Sequence, residues 1–275
     1  MEIKNIASWD EFENQLQELG QLTNYEGTKY SDATDLLFRG QSNAQWRLST
    51  TLERYMERVT GSNKVEMWTY YLMMSHAKSR IETFTANTWD LPDHKEYLDW
   101  LIQSKSWHGD LPALEYMAYL RHHGFPSPLL DWSMSPFVAA YFAFRDVTSN
   151  AESVAIFAYT EMPEDGKRVP EAGPNIVSLM QDIRSDRRHF LQQSTYTICT
   201  AKEKDKRYYC SHEEVFAKGM PRQDLLWKFI LPSSESRNAL RKLDTYNINA
   251  YSIFQSEDSV IETVFLREYV RKRYF

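Results

Sequence analysis

Apolar positions recur at helical spacing in several stretches of the chain and form short continuous runs in others. The helical repeat predicts helices over residues 8–19, 64–84, 111–123, 136–144, 233–243 and from 257 onward. The continuous runs predict strands over residues 36–40, 154–159, 194–199 and 225–231. Helices and strands alternate without the regular rhythm of a doubly wound sheet. The pattern therefore predicts an α+β fold, with residues 1–275 forming a single domain.

Between these elements the residue types predict loops and helix ends. Gly20 is expected to stop the first helix, and residues 21–35 and 163–174 are expected to be loops. Residues 46–48 are predicted to resume extended structure, and residues 85–110 to form short helices.

Residues 129–136 combine an apolar run with several polar side chains. Asp131, Trp132 and Ser133 are predicted to form a turn after Leu130, and Ser135 is predicted to cap the helix that follows. Polar side chains are thus presented where a buried element meets solvent, which is where binding sites concentrate. The alternative is local: Asp131 bonds backbone donors of the turn, and Ser133 is only a cap.

Arg39 is the second candidate, because it stands at the end of the strand predicted over residues 36–40. An arginine anchored there presents its donors as a fixed fork that suits a phosphate or a carboxylate. The competing interpretation is a structural pair with a buried acid such as Asp131. Both readings remain open from the residues alone.

Charge and motifs narrow the classes of function. The formal net charge is −6, so the surface as a whole does not attract polyanions, and the basic clusters at residues 184–189 and 267–273 are more typical of solvated helix faces. Two cysteines, Cys199 and Cys210, exclude a disulfide scaffold and a multi-cysteine zinc site. The common phosphate-loop, dinucleotide and hydrolase motifs do not occur, and no metal site is predicted. No signal peptide or membrane-length apolar run occurs, so a cytoplasmic protein without membrane contact is expected.

Two motifs carry a resemblance to a known family. Residues 38–41 with 46–48, followed after about 80 residues by residues 123–133 and 135–143, resemble the FRG domain family, named for its Phe-Arg-Gly motif. The resemblance covers roughly residues 20–232 and leaves 233–275 as a helical extension. Ser127 and Pro128 stand where many members have Thr and Arg, and Ser133 where Thr is common. Members occur in bacteria near mobile or defence genes, which implies a toxin or phage-defence role and a neutralising antitoxin.

A weaker resemblance links the same residues to ADP-ribosyltransferases of the Arg-Ser-Glu type. It implies a mixed β-sheet, continuous or split, with NAD as the substrate and no metal. Phe38, Arg39 and Gly40 are similar to the early strand whose arginine holds the NAD phosphates, and Trp132 to Ser135 to the strand end that supports the nicotinamide ribose. Gln193 stands where the catalytic glutamate is expected.

The glutamine at this position leaves the mechanism open. Cleavage of the bond to nicotinamide develops positive charge on the ribose, which a carboxylate stabilises and a glutamine does not neutralise. Asp131, Glu213 or Glu214 takes the place of the glutamate, or the mechanism differs, or the fold only binds.

The sequence hypothesis is an NAD-dependent ADP-ribosyltransferase whose acceptor is RNA, DNA or protein. In it Arg39 anchors the diphosphate, Ser133 supports the ribose, Gln193 contacts the ribose, and Asp131 and His123 shape the pocket. The residues expected to bind NAD are Phe38, Arg39, Gly40, Gln41, His123, Trp132 and Ser133. The alternative is a non-catalytic module that recognises a nucleotide or a nucleic-acid end through Arg39, His123 and Trp132. A purely structural protein would instead seal Arg39 in a buried ion pair.

Overall fold

The computed structural model describes the chain in seven segments, which are residues 1–24, 35–103, 111–147, 150–161, 173–179, 187–218 and 224–271. The predicted loop at residues 163–174 lies almost wholly outside these segments, as do parts of the loop at 21–35, of the short-helix region at 85–110 and of the basic cluster at 184–189.

In the described part of the chain, nine strands form one mixed β-sheet. The strands are β1 (Glu2–Asn5), β2 (Leu37–Gln41), β3 (Val65–Glu66), β4 (Leu130–Ser133), β5 (Ser153–Glu161), β6 (Asn175–Leu179), β7 (Ser194–Glu203), β8 (Lys206–Tyr209) and β9 (Asp224–Pro232). Their order is β1-β9-β5-β2-β4-β7-β8-β3, and β6 also pairs with β7. Among the strand pairs of the described residues, only β1 and β9 run parallel, which makes the sheet mixed and confirms the α+β prediction.

Helices surround the sheet. They are α1 (Trp9–Asn24), α2 (Thr51–Thr60), α3 (Met67–Thr85), α4 (His94–Gln103), α5 (Leu114–His122), α6 (Pro136–Arg145), α7 (Arg187–Leu191), α8 (His212–Lys218), α9 (Ser236–Thr245), α10 (Ala250–Phe254) and α11 (Glu257–Arg271). The capping prediction for α6 is confirmed, because the Ser135 side chain accepts a hydrogen bond from the Val138 backbone N–H at 3.3 Å.

The two central strands of the sheet, β2 and β4, share few backbone pairs. β2 forms five residue pairs with β5, and β4 forms four with β7, but β2 and β4 are paired only at Phe38 and Ser133. The two halves of the sheet are therefore joined at a single position, and the strands diverge on either side of it.

α6 packs against β2 at this junction. A Cβ atom on Gly40 would lie 1.9 Å from the backbone oxygen of Ala139 and 2.6 Å from the backbone nitrogen of Ala143, both far inside contact distance. The small side chains of α6 and the glycine of the Phe-Arg-Gly motif therefore allow strand and helix to touch through their backbones.

Three local predictions are corrected. Residues 131–133 are not a turn but part of β4, because their backbone pairs with β7, as in Asp131 with Tyr196. α1 does not stop at Gly20 and continues to Asn24. Residues 46–48 form a bend rather than a strand, since the Arg47 carbonyl turns back to accept the Gln41 side-chain amide at 3.2 Å.

Helices α2, α8 and α10 were not predicted from the sequence. α2 is polar and follows the bend directly, and a capping box starts it, in which the Thr50 hydroxyl and the Glu53 carboxylate each accept the other residue's backbone N–H.

Candidate functional site

A cavity of about 970 Å³ opens where β2 and β4 diverge. One wall consists of the end of β2, the bend that follows and α2, and the other of β4 with α5, α6, α7 and α10. This volume is at the upper end of the roughly 300–1,000 Å³ range of small-molecule sites, so the cavity has room for a ligand as large as a dinucleotide.

The lining is rich in arginine and aromatic residues. Among the described residues that line it, the charged ones are Arg39, Arg47, Arg54, Arg121, Arg188, Glu57 and Asp131. The phenylalanine and tryptophan residues of this lining are Phe38, Trp46, Trp132, Phe142 and Phe254. Five arginines against two carboxylates give the cavity a positive lining in a protein whose net charge is −6.

Asp131 lies between two of these arginines. Arg39 Nη1 donates to the Asp131 carbonyl oxygen at 2.8 Å and lies 4.0 Å from its carboxylate Oδ2, while Arg121 Nη2 bonds the same Oδ2 atom. The predicted pair of Arg39 and Asp131 exists, but Arg39 is not sealed in it, because its side chain is 17% exposed and lines the cavity. In the described part of the chain the Nε atoms of Arg39 and Arg121 are buried without a hydrogen-bond partner.

Burial and neighbouring charges act on these guanidinium groups. Desolvation is the largest effect and lowers the pKa of Arg39 to about 10, with Asp131 opposing it and Arg121 and Arg54 adding to it. Desolvation also lowers the pKa of Arg54, and the positive charge of Arg121 contributes. A pKa near 10 still leaves Arg39 protonated at neutral pH, so the site carries concentrated positive charge.

Ser133 lines the cavity, but its hydroxyl forms hydrogen bonds with backbone groups of the protein. It donates to the Gln192 carbonyl at 2.7 Å and accepts the Ser135 backbone N–H at 3.0 Å. Ser133 therefore ties the end of β4 to the residues between α7 and β7, which form the same cavity wall.

Phe38, Gly40, Gln41 and Trp132 also line the cavity, as the sequence led us to expect. Trp132 is almost fully buried, and its indole N–H donates to Thr197 Oγ1 at 2.7 Å. The half-exposed aromatic side chain of the lining is Trp46, on the bend after β2.

Two predicted site residues lie elsewhere. Gln193 is exposed at a tight turn, where its φ angle is 47° and its carbonyl accepts the Met134 N–H, and the cavity is lined instead by its neighbours in sequence. His123 is exposed beside the ring of Tyr119, whereas His122, the last residue of α5, lines the cavity and places Nε2 2.9 Å from the Tyr196 hydroxyl.

Two of the three acids considered as substitutes for the missing glutamate, Glu213 and Glu214, also lie away from the cavity lining. Glu213 accepts hydrogen bonds from Arg47 Nε at 2.9 Å and from the Leu48 backbone at 3.0 Å, and neither Glu213 nor Glu214 lines the cavity. The sequence reasoning missed Glu57, which does line it. The Glu57 carboxylate is 56% exposed and lies 3.5 Å from Arg47 Nη1.

Other lining residues were missed because they come from helices rather than from the two motifs. Arg54 and Glu57 belong to α2, Arg121 ends α5, and Arg188 is in α7. The capping box that starts α2 was the one sequence signal for Arg54 and Glu57.

The described residues contain no cluster of three or more histidine, cysteine, aspartate or glutamate side chains placed to hold a metal ion. None of the described helices combines the length and the apolar character needed to cross a membrane.

Comparison with known proteins gives one family match. The FRG domain model matches residues 34–152, a range that contains β2, β4, α2, α5 and α6 and thus most of the cavity lining. Comparisons with curated proteins and with solved structures found no match. Residues 34–152 of the chain thus match the FRG domain family.

Proposed function

We propose that the cavity binds a nucleotide through its phosphates and that the protein is an NAD-dependent ADP-ribosyltransferase. The observation that carries the proposal is that Arg39 and Arg121 hold a single carboxylate in a concave site whose lining also includes Arg54. Arginine forks match phosphate oxygens in geometry and charge, and a diphosphate is the part of NAD that such a group binds.

The reaction breaks the bond between the nicotinamide nitrogen and the ribose C1′ atom. The bonding electron pair leaves with nicotinamide, an acceptor nucleophile bonds to C1′, and the acceptor proton passes to solvent or to a base. Positive charge develops on the ribose in between, and a nearby carboxylate stabilises it. Glu57 is the cavity carboxylate that fits this role, because it is 56% exposed and pairs with one arginine, Arg47 at 3.5 Å, whereas Asp131 is held by both Arg39 and Arg121.

A second candidate function is non-catalytic binding of a nucleotide or of a nucleic-acid end. It is favoured by Gln193, which stands where the resemblance expects a glutamate and lies outside the cavity lining. Under this function the arginine group is unchanged and NAD is bound without being cleaved.

Variants of Arg39 test the nucleotide site. Arg39→Ala removes a partly buried charged donor, and we expect NAD affinity to fall about 10- to 100-fold, as the loss of charged hydrogen bonds implies. Arg39→Lys keeps the charge but not the fork, and we expect an intermediate loss. Calorimetric titration measures both effects, with Arg267→Ala in α11 as the control, because Arg267 pairs with Asp244 away from the cavity lining. Unchanged NAD affinity in Arg39→Ala would remove the basis of the proposal.

Glu57→Gln separates transfer from binding. We expect this variant to bind NAD with little change and to release nicotinamide at least 100-fold more slowly, because the carboxylate acts on charge that exists only in the transition state. The assay follows nicotinamide release and transfer of label from NAD to cellular RNA, DNA and protein. NAD binding by the wild type without release or transfer would support the non-catalytic function instead.

The proposal extends to a toxin or phage-defence role in a bacterial cytoplasm. Its support is the FRG domain, together with the harm that uncontrolled modification of nucleic acid or protein does to a cell. An antitoxin would then be the natural partner. Induced expression tests this role: the wild type is expected to stop growth, and Arg39→Ala is expected not to.

A further inference from the structure

We propose that Asp131 is an internal counter-ion that determines which phosphate groups the cavity accepts. It favours a diphosphate esterified at both ends, as in NAD or ADP-ribose, over a nucleotide with a terminal phosphate. The inference rests on the proposed function, because it takes a phosphate-bearing ligand as given, and it assigns Asp131 a role in specificity rather than in catalysis.

The position of the carboxylate supports this role. β4 holds the Asp131 backbone in register with Tyr196 of β7, and the carboxylate Oδ2 atom lies between Arg121 and Arg39. The Asp131 side chain is 35% exposed, twice the 17% of either arginine, so the carboxylate faces the space that a ligand would fill. A phosphate that approaches the arginines therefore also approaches Asp131.

The charged groups around Asp131 suit a ligand with two negative charges. Arg39, Arg54 and Arg121 act on one another and on Asp131, and three positive charges with one negative leave +2 among these cavity-lining groups. Glu53 also acts on Arg54, but it does not line the cavity. The doubly esterified diphosphate of ADP-ribose carries two negative charges, which matches this group.

A terminal phosphate carries additional charge. Its second proton is lost with a pKa of about 6, so ADP bears nearly one more negative charge than ADP-ribose near neutral pH. That charge would lie close to the Asp131 carboxylate in a partly buried site, where repulsion is screened less than in water. The arginines attract this charge as well, and Asp131 offsets part of that attraction. A unit charge ~12 Å from the carboxylate is repelled enough to lower the relative affinity for ADP about tenfold at an effective dielectric constant of roughly 20.

The test compares two ligands that share the adenosine diphosphate group. ADP-ribose and ADP are titrated calorimetrically at pH 7.5 into the wild type, into Asp131→Asn and into Asp244→Asn. Asp244 forms an ion pair with Arg267 outside the cavity lining, so its variant removes the same charge by the same substitution elsewhere. We expect the wild type to prefer ADP-ribose, Asp131→Asn to shift the affinity ratio about tenfold towards ADP, and Asp244→Asn to keep the wild-type ratio.

Each other result is decisive. If Asp131→Asn weakens both ligands equally, Asp131 only positions the arginines and the inference is wrong, while the proposed nucleotide site stands. If the wild type binds neither ligand, the proposed function falls as well. Should Asp131→Asn fail to fold, Asp131→Ser is the second neutral variant, and an affinity ratio that stays at the wild-type value in it would show that the inference is wrong.

Discussion

His212 is a fully buried histidine that shares a hydrogen-bonded threonine with Trp132 of the cavity wall. Its Nε2 atom lies 2.8 Å from Thr197 Oγ1, which also accepts the indole N–H of Trp132. Desolvation, with the positive charge of Arg39 as a second cause, lowers the pKa of His212 to about 3. The histidine is therefore neutral in the folded protein, and it helps to hold Trp132 in the cavity wall.

The lowered pKa predicts loss of stability in mild acid. Unfolding returns the His212 pKa to about 6.5, so below that pH the unfolded chain binds a proton that the folded chain does not. The contribution of His212 is thus fully present above pH 6.5 and decreases as the pH falls towards 3, by up to about 1.4 kcal/mol per pH unit. Urea unfolding at pH 7, 6 and 5 measures this loss.

The matched variant is His212→Gln, which keeps a polar group but does not titrate. It is expected to lose less stability than the wild type between pH 7 and pH 5, where most carboxylates remain ionised. Equal losses in the two proteins would show that His212 is not the group that titrates.

Arg39 and Asp131 illustrate what single residues reveal in a sequence. Each is a charged residue beside an apolar run, a pattern that marks the end or edge of a buried element, and both line the cavity. Gln193 and His123 show where prediction of cavity residues from the sequence fails. Both are exposed, and a neighbour in sequence lines the cavity instead, because successive side chains of a turn or helix point in different directions.

At the scale of elements, the contact between β2 and α6 depends on Gly40. We expect Gly40→Ala to destabilise the protein by about 3 kcal/mol or more, because the new methyl group would overlap backbone atoms of Ala139 and Ala143 that cannot move independently of α6. Chemical denaturation measures this loss.

Gly20→Ala is the control for that substitution. Gly20 lies inside α1, and a Cβ atom there would have no other atom within 4 Å. This variant is expected to gain about 0.5–1 kcal/mol from the higher helix propensity of alanine. A Gly40→Ala protein as stable as the wild type would contradict the close packing of β2 on α6.

Elements whose own residues carry a strong pattern could be predicted from the sequence. Elements that form by pairing with residues far away in the sequence could not. β5 and β9 are long apolar runs and α6 has a clear cap, so each is evident from its own residues. β4 is only four residues long, and it is a strand because it pairs with residues 194–197 of β7. No local pattern contains that pairing, which is why residues 131–133 read as a turn.

At the scale of the whole molecule, the cavity and the surface carry opposite charge. The net charge is −6, yet the described lining of the cavity has five arginines and two carboxylates. The arginines come from positions as far apart in sequence as Arg39 and Arg188, so composition and basic clusters did not predict that they would meet. Only the folded sheet, which opens between β2 and β4, brings them to one site.

This contrast predicts that the protein prefers a nucleotide to a nucleic-acid chain. A 12-nucleotide single strand with a 5′-phosphate can place one end in the cavity, but its remaining phosphates would lie over a surface that is negative overall. We therefore expect the oligonucleotide to bind no more tightly than ADP-ribose, with a salt dependence that corresponds to only one or two phosphates. Competition titrations at 50 and 200 mM KCl measure both quantities, and Arg39→Ala should weaken both ligands. If the oligonucleotide instead binds at least tenfold more tightly and loses affinity steeply with salt, the nucleic-acid module is the better account of this FRG domain.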